Sequence, residues 1–260
     1  MNLLGYSLPL SPSGQSSLVS SPPWYFGGDV LEIAFLANKE ILQQFIPSPL
    51  KLCEDGIAAV SIVDMTSISE KEFAYDRPEL TQYRECLLKI LCEFEGRRGW
   101  FVPTTWVNTD FSLLRGFIQG FGKQLGQIHI TKFHKMNTLI GERVIGSKIK
   151  GICEVFNSIH ISLGLSISKE TTDDYFKGIS MFVMRHYPDI ENSSQTIVQE
   201  LSELQVKDYR KSEILVGEGE INIMSLNRSE WANIQPLKVI SARCFSEGFT
   251  LIGGKILHKY

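Results

Sequence analysis

The chain has 260 residues, 43% hydrophobic and 21% charged, which suits one large domain or two small ones and excludes a disordered or fibrous protein. Lys+Arg 26 against Asp+Glu 29 leaves a formal charge of −3 without a dense basic block, so nucleic acid is not an expected partner and a small molecule or protein is. No run of about eighteen apolar residues exists and Met1 to Asn38 holds no Lys or Arg, so neither a membrane span nor a secretory signal is expected. Five scattered cysteines (Cys53, Cys86, Cys92, Cys153, Cys244) with no C-x-x-C pair argue against a disulfide framework or zinc site and point to a reducing cytoplasm.

Residues 1 to 23 are rich in Ser, Pro and Gly and read as an extended arm ending at Pro22-Pro23, either loose or laid over a neighbouring subunit. Leu31, Ile33 and Phe35 then alternate with Glu32 and Ala34 as a half-buried strand, and Asn38 caps a helix from Lys39 to Ile46 that Pro47 stops. Ile57 to Met65 is a second strand. Tyr83 to Phe94 is a third, with Cys86, Leu88, Ile90 and Cys92 on one parity and Glu85, Lys89 and Glu93 on the other. Glu95 to Gly99 reads as a turn into a hairpin partner, Trp100 to Val107. Asp110 is the expected cap of a helix from Ser112 to Ile118, ended by Gly120 and Gly122. Beyond Ile128, apolar stretches recur every dozen or so residues: Leu139 to Ile145, Gly151 to Phe156, Ile159 to Ile167, Ile179 to Arg185, Ile214 to Ile223 and Lys238 to Phe245. Such spacing predicts a mainly β domain over 24–260, an antiparallel barrel or sandwich with few short helices, one of them near 228 to 232.

The segment Gly116 to Gly126 carries the most unusual pattern. It fails as a phosphate loop, since Phe117 and Gln124 stand at the wrong places, and Gly120, Gly122 and Gly126 do not match a dinucleotide fingerprint. What remains is Lys123 in a glycine-broken loop among aromatic and aliphatic neighbours such as Phe121. Dehydration there would free its amine near neutral pH, as an imine-forming nucleophile requires; the plainer reading is a surface lysine at a turn. His129 and His134 are badly spaced for a metal, Gly217 to Glu220 reads as a turn or bulge, and Asp173-Asp174 as a solvated loop. No G-x-S-x-G elbow supports a serine hydrolase.

The ordered set Ser21 to Phe26, Tyr83-Arg84-Glu85, Glu95 to Gly99, Gly120 to Gly126 and Leu237 to Ser241 resembles the acetoacetate decarboxylase family over nearly the whole chain. The resemblance implies a mainly antiparallel β-barrel, a homo-oligomer and an imine-forming lysine in an apolar cavity, with no cofactor. Lys123 matches that lysine, and Glu85 matches the family's active-site acid. Tyr83, Gln119, Gln124 and Phe121 are the side chains expected to meet a substrate. Three departures stand out. The second lysine that follows the nucleophile is Gln124 here, so desolvation alone is left to activate Lys123. The family's carboxylate-binding arginine is replaced by Gly27-Gly28-Asp29, and no acid stands at Val60 or Ser61.

Imine formation turns a carbonyl carbon into an electron sink for the bond one carbon away. In a 3-oxo acid that bond leads to the carboxylate and CO2 departs, giving a carboxy-lyase of the acetoacetate decarboxylase kind, the first expectation because it needs one substrate. In a 2-oxo acid such as pyruvate a methyl proton leaves instead, and the enamine can add to an aldehyde or cyclise. Aldolase-dehydratase or cyclase chemistry on the same lysine is therefore the alternative, and a non-catalytic barrel binding a small acid is the third reading.

Overall fold

The computed structural model describes residues 2–226 and 229–260. The alternation read in the first half of the chain becomes strands β1 (Trp24–Leu36), β2 (Lys51–Leu52), β3 (Ile57–Ile68), β4 (Gln82–Phe94) and β5 (Arg97–Val107). Between them lie helices α1 (Lys39–Gln44) and α2 (Phe73–Asp76), followed by α3 (Asp110–Gln119). Then come β6 (Lys123–Leu125), β7 (Gln127–Ile130), β8 (Lys148–Val155), β9 (Ser158–Thr171), β10 (Ser180–Pro188), β11 (Thr196–Lys211), β12 (Ile214–Ile223) and β13 (Lys238–Lys259).

The sheet closes on itself. Pairing runs β1, β3, β4, β5, β10, β11, β13 and back to β1, and a second limb of β12, β9, β8 and β7 continues from β13. The expected mainly β fold is present, although β10 and β6 each pair with β5 in parallel, so the sheet is mixed. Strand parity then makes two environments. Leu31, Ile33, Ile62, Cys86, Leu88 and Ile90 face outward from the closed circuit and pack with Cys153, Ile161, Leu163 and Ile221 of the second limb. Val30, Val63, Met65, Leu87 and Phe245 face inward. Each fully buried Leu or Ile in the outer layer contributes about 1.5–3 kcal/mol of hydrophobic stabilisation, enough in sum to hold an inner face that is not fully apolar.

Asn38 caps α1 as expected, accepting from the backbone N–H of Glu40 at 2.8 Å and Ile41 at 3.2 Å. The β4–β5 turn is formed by Glu95 and Gly96, both at positive φ (50° and 76°). Gly217 to Glu220 lies inside β12 at a register shift, a bulge and not a turn.

Several expectations are corrected. Asp110 is the first residue of α3; Thr109 holds the cap position, and Asp110 Oδ1 accepts from the N–H of Phe111. Leu139 to Ile145 is not a strand: no neighbour pairs with it, and Leu139, Val144 and Ile145 are exposed. Near the chain's end a 3₁₀ turn spans Glu230–Asn233, while position 228 of the expected helix lies outside the described residues. The strand β11 had no forecast, because charged and half-exposed residues hide its period. The N-terminal arm rests on its own chain, with Ser7 and Val19 buried and the Tyr6 ring edge-on to Trp24 at 5.9 Å.

Candidate active site

Lys123 lies on a strand and not in the expected loop. Its β6 segment lies parallel to β5, with Lys123 beside Thr105, which in turn faces Leu87 of β4. The side chain therefore points inward, 5% exposed, and its Nζ sits 2.9 Å from Ser112 Oγ and 3.2 Å from Glu85 Oε2. The rings of Tyr83 and Phe121 flank it at 5.3 and 5.4 Å. Helix α3 makes room for the stem: a Cβ on Gly116 would come within 2.3 Å of Lys123 Cδ. The helix stops at Gly120, whose φ of 105° only glycine adopts easily, and the chain can then enter β6.

Burial pushes the Lys123 ammonium down to about 8; the Arg115 guanidinium adds to that effect and the Glu85 carboxylate opposes it. Desolvation is thus the leading cause, as expected, but it does not act alone.

Arg115 is the residue that sequence reasoning missed. It is 3% exposed on the inner face of α3, enclosed by the rings of Phe26 (4.9 Å), Tyr83 (5.2 Å), Phe111 (5.5 Å) and Trp24 (5.9 Å). One of its nitrogens, Nη1, donates to Ser67 Oγ at 2.6 Å, while Nη2 has no partner among the described residues. One turn further along α3, Gln119 Nε2 is likewise buried without a partner. Burying such donors is costly unless something accepts from them, and both residues line the same cavity as Lys123 and Glu85. An arginine four residues after Phe111 on a helix whose neighbours are apolar was the available signal. Arg115 lies over the ring of Phe26, the residue just before the Gly27-Gly28-Asp29 stretch where the resemblance implied an arginine.

Of the six side chains expected at the site, Lys123, Glu85, Tyr83, Gln119 and Phe121 line this cavity of about 480 Å³. Gln124 does not. Successive strand residues point to opposite faces, so Gln124 is exposed on the far side, where its Nε2 lies 3.4 Å from Thr104 Oγ1. His129 and His134 are exposed, and no group of three or more potential metal ligands occurs among the described residues.

The other end of the cavity is charged. Glu32 of β1 accepts from Ser61 Oγ at 2.8 Å, from Lys89 Nζ and from Arg243, whose Nη2 is 2.6 Å away. Burial opposes the charge on Glu32, but Lys89 and Arg243 outweigh it and hold the carboxyl well below the usual range. Asp174, expected to be solvated, is drawn in: its oxygens meet Arg243 Nη1 at 2.6 Å and Lys211 Nζ at 2.7 Å. An acid does stand at the level of Ser61, contributed by the adjacent strand, since Glu32 pairs with Ser61 in register.

A closed β-sheet thus surrounds a cavity with a buried lysine of lowered pKa at one end and an ion network at the other. The family model described as acetoacetate decarboxylase (ADC) matches residues 7–260, and the chain belongs to that family. Among solved structures it is similar to the enduracididine biosynthesis enzyme MppR complexed with pyruvate, at 28% identity and TM-score 0.92 over 100% of both chains. MppR has also been solved with the condensation product of pyruvate and imidazole 4-carboxaldehyde (27% identity, TM-score 0.91, 99% of this chain and 97% of that one). An acetoacetate decarboxylase-like enzyme from Sphingomonas wittichii RW1 is 27% identical, with TM-score 0.90 over 99% of this chain and 100% of that one. The acetoacetate decarboxylase of Clostridium botulinum (strain Eklund 17B / Type B) is 19% identical over 240 residues, 92% of this chain and 90% of its own length. Among the described residues no helix is long and apolar enough to cross a membrane.

Proposed function

We propose that this protein condenses a 2-oxo acid of the pyruvate type with an aldehyde through an imine on Lys123. The observation that carries the reading is the pair of buried, unpartnered donors Arg115 Nη2 and Gln119 Nε2 beside the lysine. A guanidinium and an amide N–H together fit a carboxylate. What a held carboxylate does for the rate depends on the reaction. In decarboxylation its negative charge disappears on the way to CO2, so such contacts, like the carboxylate-binding arginine of the family's decarboxylases, serve substrate binding and not the chemical step. In the condensation the carboxylate keeps its charge throughout, and the same contacts orient the substrate through every step. Decarboxylation of a 3-oxo acid therefore stands second.

The chemistry balances with the residues at hand. Free Lys123 amine adds to the 2-oxo carbonyl and water leaves, giving the imine. Glu85, within 3.2 Å of Nζ, takes a proton from the adjacent methyl carbon to form the enamine. The enamine carbon bonds to the aldehyde carbon, whose oxygen takes up a proton; loss of a second proton from the former methyl carbon then expels that hydroxyl as water and leaves a carbon–carbon double bond. Hydrolysis of the remaining imine returns Lys123 and releases an unsaturated 2-oxo acid. The pyruvate complex of MppR, 28% identical to this chain, supports this substrate class.

Borohydride reduction in the presence of pyruvate, followed by peptide mass spectrometry, should find a 1-carboxyethyl group on Lys123, and acetoacetate should yield no CO2 above the uncatalysed rate. No pyruvate adduct, with an isopropyl adduct and CO2 release from acetoacetate, would reverse the assignment in favour of decarboxylation.

A further inference from the structure

The cavity is larger than a three-carbon acid needs, and its charged end has no part in the steps above. Glu85, Leu87 and Lys89 of β4 all face inward, so Lys89 lies four residues, or roughly 13 Å, along the strand from the group paired with Lys123. Between the two ends the walls are apolar, with Val30, Val63 and Leu87 among them.

The ammonium groups at that end are not fully engaged by its carboxylates. Three cations, Lys89, Lys211 and Arg243, surround two carboxylates, Glu32 and Asp174, whose charges are already taken up by them. A third acid, Glu247, lines the same end and accepts from Tyr209 Oη at 2.8 Å. Burial pushes the Glu247 carboxyl up, while Tyr209 and the ammonium groups of Lys89 and Lys211 oppose that shift. Each of the two ammonium groups has a single hydrogen-bond partner among the described residues: Lys89 bonds to Glu32 and Lys211 to Asp174. An ammonium has three N–H donors, so both retain donors for something in the cavity. Aromatic rings back them: Trp100 lies 5.1 Å from Lys89 Nζ and Phe245 4.2 Å from Lys211 Nζ.

We infer that this end is the subsite for the second substrate, and that the aldehyde it takes carries a carboxylate at the end remote from its carbonyl, held by Lys89 and Lys211. The inference rests on the condensation reading and adds the class of acceptor. With the aldehyde carbon at the enamine near Lys123, an apolar stem crosses the apolar stretch and the anion meets the ammonium groups.

The test is a homologous series of straight-chain aldehydes, each prepared as the ω-carboxylate, the ω-amide and the ω-trimethylammonium compound, assayed with pyruvate by the absorbance of the conjugated product. At the best length the carboxylate should exceed the amide in kcat/KM by roughly ten-fold or more, as expected for a charge-assisted hydrogen bond in a buried site, and the cation should be poorest. Lys211→Gln should bring the carboxylate-to-amide ratio toward one; Lys89→Gln, which disturbs Glu32 as well, is the second variant, and pyruvate trapping identifies folded protein in each. Pyruvate trapped on Lys123 without a carboxylate preference would overturn the acceptor assignment and leave the imine chemistry standing. Absence of the pyruvate adduct would overturn both.

Discussion

Replacing Glu85 with Gln should move two observables in opposite directions. With Lys123 at about 8, about a quarter of it is free amine at pH 7.5, against about one part in a thousand for an ordinary lysine. The carboxylate 3.2 Å away favours the ammonium form, so removing its charge lowers the lysine's pKa further. An opposite charge at this range shifts a pKa by about one pH unit or more, which would raise the free-amine fraction at pH 7.5 to about three-quarters. Borohydride trapping of pyruvate, followed against pH, should therefore have its midpoint displaced toward acid and run about three-fold faster at pH 7.5. Turnover should fall by roughly 10²-fold or more, because the amide cannot carry the methyl proton. A midpoint that moves toward alkali or stays put would refute the electrostatic argument. Unchanged turnover would remove Glu85 from proton transfer.

Four further outcomes follow from the same geometry. Lys123→Ala and Lys123→Arg should both give no trapped adduct, since a guanidinium stays protonated, and mass spectrometry of the reduced protein reads this directly. Arg115→Met removes a like charge and a carboxylate donor, so the trapping midpoint should move toward alkali and the KM for pyruvate should rise by about ten-fold or more. Gln124→Lys should leave the trapping profile where it is, because residue 124 points out of the cavity; a shift toward acid would show that an added ammonium reaches Lys123 after all. Glu32→Gln should cost about 3–5 kcal/mol in denaturant unfolding by leaving Lys89 and Arg243 buried without their acid. Since the Glu32 carboxyl is held low in the folded state, its stabilisation is complete above the usual glutamate range and is lost as pH falls below it, so wild type and variant should converge in acid.

Much of the site was legible because strand parity is a strong signal. Placing Cys86, Leu88, Ile90 and Cys92 on one face of β4 and Glu85 and Lys89 on the other is enough to separate the packed outer layer from the cavity, and the structure keeps that division. The sequence marks that second face of β4 as polar, and closure of the sheet turns it inward. Periodicity records alternation and carries no information about whether a sheet closes. Arg115 was hidden for a related reason: charge on a short helix normally marks its wet side, and only the rings of Trp24 and Phe26 from β1, Tyr83 from β4 and Phe111 from α3 itself make that position interior. Asp174 was misread as solvated because its partners, Lys211 and Arg243, are distant in sequence.

The outward position of Gln124 also explains where a charge near Lys123 has to come from. On a strand of period two, the residue next to an inward lysine points away from it, so a neighbour in sequence is poorly placed to repel its ammonium. The nearby inward positions belong to β4 and α3, and there the chain supplies one carboxylate, Glu85, and one guanidinium, Arg115. Arginine suits that place better than a second lysine would. Two buried lysines would share the burden of desolvation, and either could shed its proton; a guanidinium stays charged across the working pH range and so keeps both its repulsion of Lys123 and its donors for a carboxylate. Binding a 2-oxo acid anion there would offset part of that repulsion, so substrate should raise the lysine's affinity for a proton just as the imine begins to form.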